Sequence, residues 1–226
     1  MPEHVHIHAP HELSEPHEAS TSNRREHILE ILSAVLLSLA TVGIAWSGYQ
    51  AARWSGHQAA LYTEASTARS FANRNATVAA QQRTQDLLNF NRWLDARIQG
   101  QSVLDDLYQR RFRREFRPAF EAWLAADPLN NPGAIPSPLR QKVYVVKRAE
   151  RARQLEEKGD RKFEEGKQAT ENADDYVFAT VFYAVVLFFA GISLRFQWFP
   201  MRVSILALGG VLLVYATGII VSLPRH

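Results

Sequence analysis

Histidines near the N-terminus are the residues best suited to chemistry in this sequence. His4, His6 and His8 alternate, His11 follows, and carboxylates lie on both sides. Imidazole and carboxylate groups together bind zinc, nickel or copper. The spacing matches no closed structural metal site, and the low hydrophobicity of the segment predicts disorder. We therefore expect weak, opportunistic metal binding by these four histidines and no dedicated cofactor.

Four arginines form a second candidate site, on a helix expected over residues 101–126. They are Arg110, Arg113, Arg114 and Arg117. The opposite arc of this helix carries an apolar stripe typical of a core-facing surface, made of Leu104, Tyr108, Phe112, Phe116, Phe120 and Trp123. Pro118 should kink this helix or restart it as a second piece. The basic arc is suited to an anionic surface such as lipid headgroups, and a simply solvated face is the alternative.

Carboxylates at the ends of the apolar segments are the third candidate. Glu30, Asp174 and Asp175 could ring a pore entrance in an oligomer, because ionisable residues at a bilayer often mark a pathway, and solvated helix ends are the alternative. The sequence has no phosphate-binding glycine loop, no nucleophile elbow and no pair of histidines on one helical face. Cys is absent, which excludes disulfides and thiolate sites. We expect no enzymatic activity and no nucleic-acid partner.

Three apolar segments must position these groups. Residues 28–48, 176–194 and 203–223 are each close to the ~20 residues that a helix needs to cross a bilayer. Aromatic side chains that favour the membrane interface lie at their ends, among them Trp46, Tyr176 and Trp198. The sequence therefore predicts three transmembrane helices, with a short turn at residues 195–202.

A helical stalk is expected over residues 49–175, between the first two spans. No proline occurs between Trp46 and Gly100, so the first span should continue as one helix into water. Prolines and asparagines near residues 127–138 predict a loop. Small residues then recur at every seventh position: Ala152, Gly159, Gly166 and Ala173. This period predicts a seam packed closely against another helix, with glycine hinges as the alternative.

Several short motifs accompany this arrangement. They are HVHIH at residues 4–8, PHE at residues 10–12 and ALYTEAS at residues 60–66, followed by the C-terminal pair of spans. Together they resemble an uncharacterised family of bacterial membrane proteins, domain of unknown function 4337. The resemblance implies a location in the bacterial inner membrane, and it implies no known activity.

Basic residues flank the spans unevenly. Arg24 and Arg25 precede the first span, and Arg195 and Arg202 lie in the turn between the second and third. Since positive residues in short loops favour the cytoplasmic side, we expect the N-terminus inside and the stalk outside. The basic ends of the stalk favour the reverse orientation, which stays open.

The sequence as a whole predicts an all-α membrane protein with three transmembrane helices and a long helical stalk inserted between spans 1 and 2. A disordered tail is expected at residues 1–27. The expected function is that of a structural or interaction protein in the lipid bilayer, acting as a homo-oligomer or with a membrane partner protein. A small oligomeric channel or transport accessory subunit is the alternative.

Overall fold

The computed structural model describes the backbone of residues 17–226 and the side chains from Arg24 onward. Over this range the chain is all-α. Its helices are α1 (His17–Ile98), α2 (Ser102–Arg111), α3 (Arg117–Leu124), α4 (Lys147–Ser193) and α5 (Phe199–Ser222), with a 3-10 turn at Pro138–Arg140.

Three of the helices in the described part of the chain are long and apolar enough to span a membrane. They lie within Arg24–Ile98, Lys147–Ser193 and Phe199–Ser222. This confirms the predicted all-α chain with three such segments. The prediction that the first apolar segment continues as one helix towards Gly100 is also confirmed, because α1 is unbroken as far as Ile98.

Two boundaries differ from the predicted ones. Residues 17–27 belong to the predicted disordered tail, but they form the start of α1. They contain neither Pro nor Gly, and extending an existing helix adds one hydrogen bond for each residue fixed. The turn predicted at residues 195–202 is shorter, because α5 begins at Phe199. Pro200 lies in the first turn of α5, where the backbone N–H that proline does not have would make no hydrogen bond within the helix.

The chain divides into two compact units. Unit 1 contains the described residues up to Gln58 together with Lys167–His226, and unit 2 is Ala59–Gly166. Unit 1 therefore holds the three apolar segments, and unit 2 holds α2, α3 and the adjoining parts of α1 and α4.

In unit 1 the apolar segments pack through small and hydroxyl-bearing side chains. Ser33 and Ser193 are fully buried, and their Oγ atoms lie 3.1 Å apart. The hydroxyl oxygens of Tyr183 and Thr217 also lie 3.1 Å apart, which joins α4 to α5. Interhelical hydrogen bonds of this kind help to hold helices together in lipid, where the hydrophobic effect does not favour contact between apolar helices.

Unit 2 has α1 and α4 in close contact through small residues. A Cβ atom on Gly159 would lie 3.2 Å from the carbonyl oxygen of Ala65, and one on Gly166 would lie 2.6 Å from the ring of Tyr62. Arg69 and Asp160 form an ion pair at 2.9 Å beside this contact. The predicted close-packed seam is confirmed at both glycines, and the hinge alternative is wrong because α4 is continuous through them.

The segment between α1 and α4 is less helical than expected. The helix predicted over residues 101–126 is broken at Phe112, whose backbone is extended. Pro118 cannot donate a backbone hydrogen bond and instead occupies the first turn of α3. The loop predicted near residues 127–138 continues, apart from the 3-10 turn, to the start of α4 at Lys147.

Candidate functional site in the helical head

The histidines of the tail lie outside the described residues, so weak metal binding by His4, His6, His8 and His11 stays a prediction. Within the described residues, no three His, Asp or Glu side chains come close enough to hold a metal ion.

The three carboxylates suggested for a pore entrance are separated in unit 1. Glu30 precedes Ser33 by one turn, and Ser33 contacts Ser193 at the end of α4. Asp174 and Asp175 lie on α4 about 27 Å away from Ser193, at 1.5 Å per residue. The two acidic sites therefore flank opposite ends of the apolar segments, and a role at a pore entrance stays a prediction.

The four arginines do not share a helical arc, which corrects the predicted basic helix. Helix α2 ends at Arg111, so Arg113 and Arg114 lie in the connection to α3. Arg117 turns back and donates hydrogen bonds to the carbonyl oxygens of Phe112 and Arg110, at 3.2 and 3.1 Å. It therefore stabilises the break between the helices. Binding of an anionic surface by these arginines stays a prediction.

Arg113, itself partly exposed, forms an ion pair with the buried carboxylate of Asp86. Its Nε and Nη2 atoms donate to the two carboxylate oxygens of Asp86 at 2.9 and 2.8 Å, and Nη1 donates to Glu115 at 2.8 Å. Only 1% of Asp86 is exposed. The hydrogen bonds to Asp86 are the main reason that the pKa of Arg113 is raised. Two parallel bonds from a guanidinium fix the direction as well as the distance of a contact, so this pair ties the connection to α1.

The same carboxylate holds the segment before α4. The hydroxyl of Tyr144 donates to Asp86 at 2.9 Å. Burial, followed by this hydrogen bond and the charge of Asp86, raises the pKa of Tyr144 to about 12. Asp86 therefore joins three separate stretches of chain.

An aromatic core lies beside this ion pair. Its buried members are Phe90, Trp93, Phe112, Phe116, Phe120 and Trp123. Trp93 meets Phe120 edge to face with their ring centroids 4.7 Å apart, and the indole of Trp123 donates to the carbonyl oxygen of Ile135 at 2.7 Å. Edge-to-face pairs add ~0.5–1.5 kcal/mol to the burial of apolar area. We call residues 86–146, which surround this core and the ion pair, the head.

Within the head, helix α2 is held against α1 by one of its faces. Asp105 is buried and accepts hydrogen bonds from Arg97 of α1 at 2.7 Å and from Gln109 at 2.9 Å. Burial acts to raise the pKa of Asp105, but the hydrogen bonds from Gln109 and Arg97 outweigh it, and the pKa is lowered. Between α1 and α2 the chain reverses at Gly100, whose φ of 69° favours glycine, while the amide of Gln101 bonds back to Ala96.

The opposite face of α2 points into solvent and carries large apolar side chains. Val103 is 81% exposed, and Leu104 and Leu107 are also exposed. Since residues three and four positions apart are neighbours on a helix, these three side chains are contiguous. The charged side chains of Asp106 and Arg110 pair with each other along the edge of this apolar surface. We call Val103, Asp106, Leu107 and Arg110 the outer face of α2.

Sequence reasoning missed Asp86 as the anchor of the head, although a signal was present. Ala65, Ala72, Ala79, Asp86 and Trp93 are spaced by seven residues, and all are buried. A carboxylate at a position that the period assigns to the interior must have a charged partner. The outer face of α2 gave no comparable signal, because its exposure depends on Asp105 turning inward.

The chain matches no family model, no curated protein and no solved structure. The class that the fold defines is that of an all-α protein with three helices able to span a membrane. Membership in domain of unknown function 4337 stays a prediction.

Proposed function

We propose that this protein is a membrane-anchored interaction protein that assembles into homo-oligomers. The three apolar segments anchor it in the bilayer, and the head supplies a rigid surface for docking. The one observation that carries this proposal is the outer face of α2. Contiguous exposed apolar side chains in a part of the chain outside the apolar segments mark a site of association, whereas single exposed ones are ordinary.

Anchoring is supported by the outer surfaces of the apolar helices. Large apolar side chains point away from the protein along them: Ile31, Val35 and Val42 on α1, Val177 and Val181 on α4, and Val211, Val214 and Val221 on α5. Such surfaces suit hydrocarbon, while the hydroxyl groups of Ser33, Ser193 and Tyr183 are turned inward. The orientation with the N-terminus in the cytoplasm belongs to this proposal and rests on the basic residues of the short turn.

A docking role also agrees with the chemistry of the head. The buried carboxylate of Asp86 accepts hydrogen bonds from both Arg113 and Tyr144, so it ties segments of chain together. The alternative of a channel has less support, since among the described residues Glu30 lies far along the bundle from Asp174 and Asp175.

Co-purification of two tagged forms of the full chain, expressed in the same membranes, tests the proposal. We expect capture of one form to recover the other after mild solubilisation. Mixing membranes that each contain a single form, only after solubilisation, is the control for aggregation. If one form never recovers the other from co-expressing membranes, the protein does not assemble with itself, and the proposed function is wrong.

A further inference from the structure

We propose that the outer face of α2 pairs with the same face of a second copy, with the two helices antiparallel about a two-fold axis. This inference rests on the proposed function and names its partner surface. The face joins an apolar centre, Val103 and Leu107, to one acidic and one basic residue, Asp106 and Arg110.

Charge selects a second copy as the occupant. In a pair related by a two-fold axis, the same face of each copy forms the contact. The face can therefore pair with itself only if its acidic residues meet basic residues after the rotation. Asp106 and Arg110 are one helical turn apart and form an ion pair within the chain. In an antiparallel pair, Asp106 of one copy lies against Arg110 of the other, and the four side chains alternate in sign. A parallel pair would place like charges together, which costs free energy.

The pairing of Asp106 with Arg110 also fixes the position of the two-fold axis along α2. When Asp106 lies beside Arg110 of the other copy, Leu107 falls next to its own counterpart. Val103 then lies at the end of the contact, just past Arg111, the last residue of the other α2. Leu107 is thus buried between the helices, and the alternating charges form the rim, as in other protein interfaces.

Two features make so small a face sufficient. Helix α2 is already fixed to α1 by the hydrogen bond that Arg97 donates to Asp105, so little conformational freedom is lost on pairing. Copies anchored in one bilayer also meet at a high effective concentration, which raises the occupancy of a contact that would be weak in solution.

Charge reversal in the full chain tests the pairing in trans. Asp106→Arg gives a face with two cations, and Arg110→Asp gives one with two anions. Each variant expressed alone should associate at least about tenfold more weakly than the parent, because like charges meet across the axis. Co-expression of the two variants should restore association to near the parental level. This rescue reports contact between chains, because within each chain the like charges remain.

Glu121→Arg and Arg140→Asp are the matched controls. Both residues are exposed and lie outside α2, and the substitutions change net charge by the same amounts. We expect neither control to alter association, alone or together. If the controls weaken association as much as the α2 variants do, net charge is responsible and the inference is wrong.

Cysteine crosslinking then reports the direction of the helices, since the parent has no cysteine. Leu107→Cys should form disulfide-linked dimers in membranes. Val103→Cys should crosslink poorly with itself, whereas Asp106→Cys should crosslink well with co-expressed Arg110→Cys. Strong self-crosslinking at Val103→Cys would indicate a parallel pair and overturn the inference. If the parent assembles and every α2 variant assembles equally well, this pairing is wrong but the proposed function stands. If the parent itself is monomeric, both are wrong.

Discussion

Arg113 and Asp86 are 27 residues apart in the sequence and are joined by two parallel hydrogen bonds of 2.9 and 2.8 Å. Arg113→Met should therefore destabilise the head. Removing the guanidinium leaves Asp86 buried without its cation, which typically costs ~3–5 kcal/mol. Denaturant unfolding of the full chain in detergent, followed by near-ultraviolet circular dichroism, measures this change. Arg114→Met removes the neighbouring exposed charge and should change stability by less than about 0.5 kcal/mol. Equal effects of the two substitutions would contradict the role given to the ion pair.

The seam between α1 and α4 should reject a side chain at Gly166. Gly166→Leu would drive its Cβ atom into the ring of Tyr62, and overpacking of this kind costs ~1–3 kcal/mol. Gly56→Leu is the control, because a Cβ atom at that helical glycine meets nothing within 4 Å. Thermal unfolding should show a lower midpoint for the first variant and an unchanged or slightly higher one for the second, because leucine is a better helix former than glycine. A Gly166→Leu chain as stable as the control would show that the helices separate readily there.

Tyr144 should make the head sensitive to strong alkali. Its pKa is raised from 10.0 to about 12 in the folded protein. A group whose folded pKa lies above its unfolded pKa contributes stability that is complete below pH 10 and is lost as the pH rises through about 12. Ultraviolet absorbance titration of the parent minus Tyr144→Phe should show one tyrosine ionising near that upper value. A difference curve centred near pH 10 would show that Tyr144 is not held by Asp86 as described.

Features that depend on local sequence patterns were predictable, and contacts between distant parts of the chain were not. The apolar segments of unit 1 were predictable, because a run of apolar residues long enough to cross a bilayer has few other uses. The seam at Gly159 and Gly166 was also predictable, since its seven-residue period is a local property of one helix. The ion pair of Arg113 was not predictable, because its partner Asp86 lies far away in the sequence. Helical periodicity alone continued α2 past Phe112, where tertiary contacts break it.

Topology of the anchored protein gives a further prediction. Arg195 and Arg202 should face the cytoplasm, and the residues between the first two apolar segments should lie on the other side. Reporter domains inserted at Asn131 and Gln197 separate the two orientations. A cytoplasmic signal from Asn131 would reverse the proposed orientation.

Self-assembly is the central claim, and the mass of the crosslinked, detergent-purified protein tests it most directly. The chain has a mass of 25.6 kDa. Crosslinking in native membranes before solubilisation preserves contacts that depend on anchoring, and mass spectrometry then counts the copies without a contribution from detergent. We predict species at whole-number multiples of the chain mass, with the dimer prominent and reduced in the Asp106→Arg variant. A single species at 25.6 kDa under all crosslinking conditions would contradict the account.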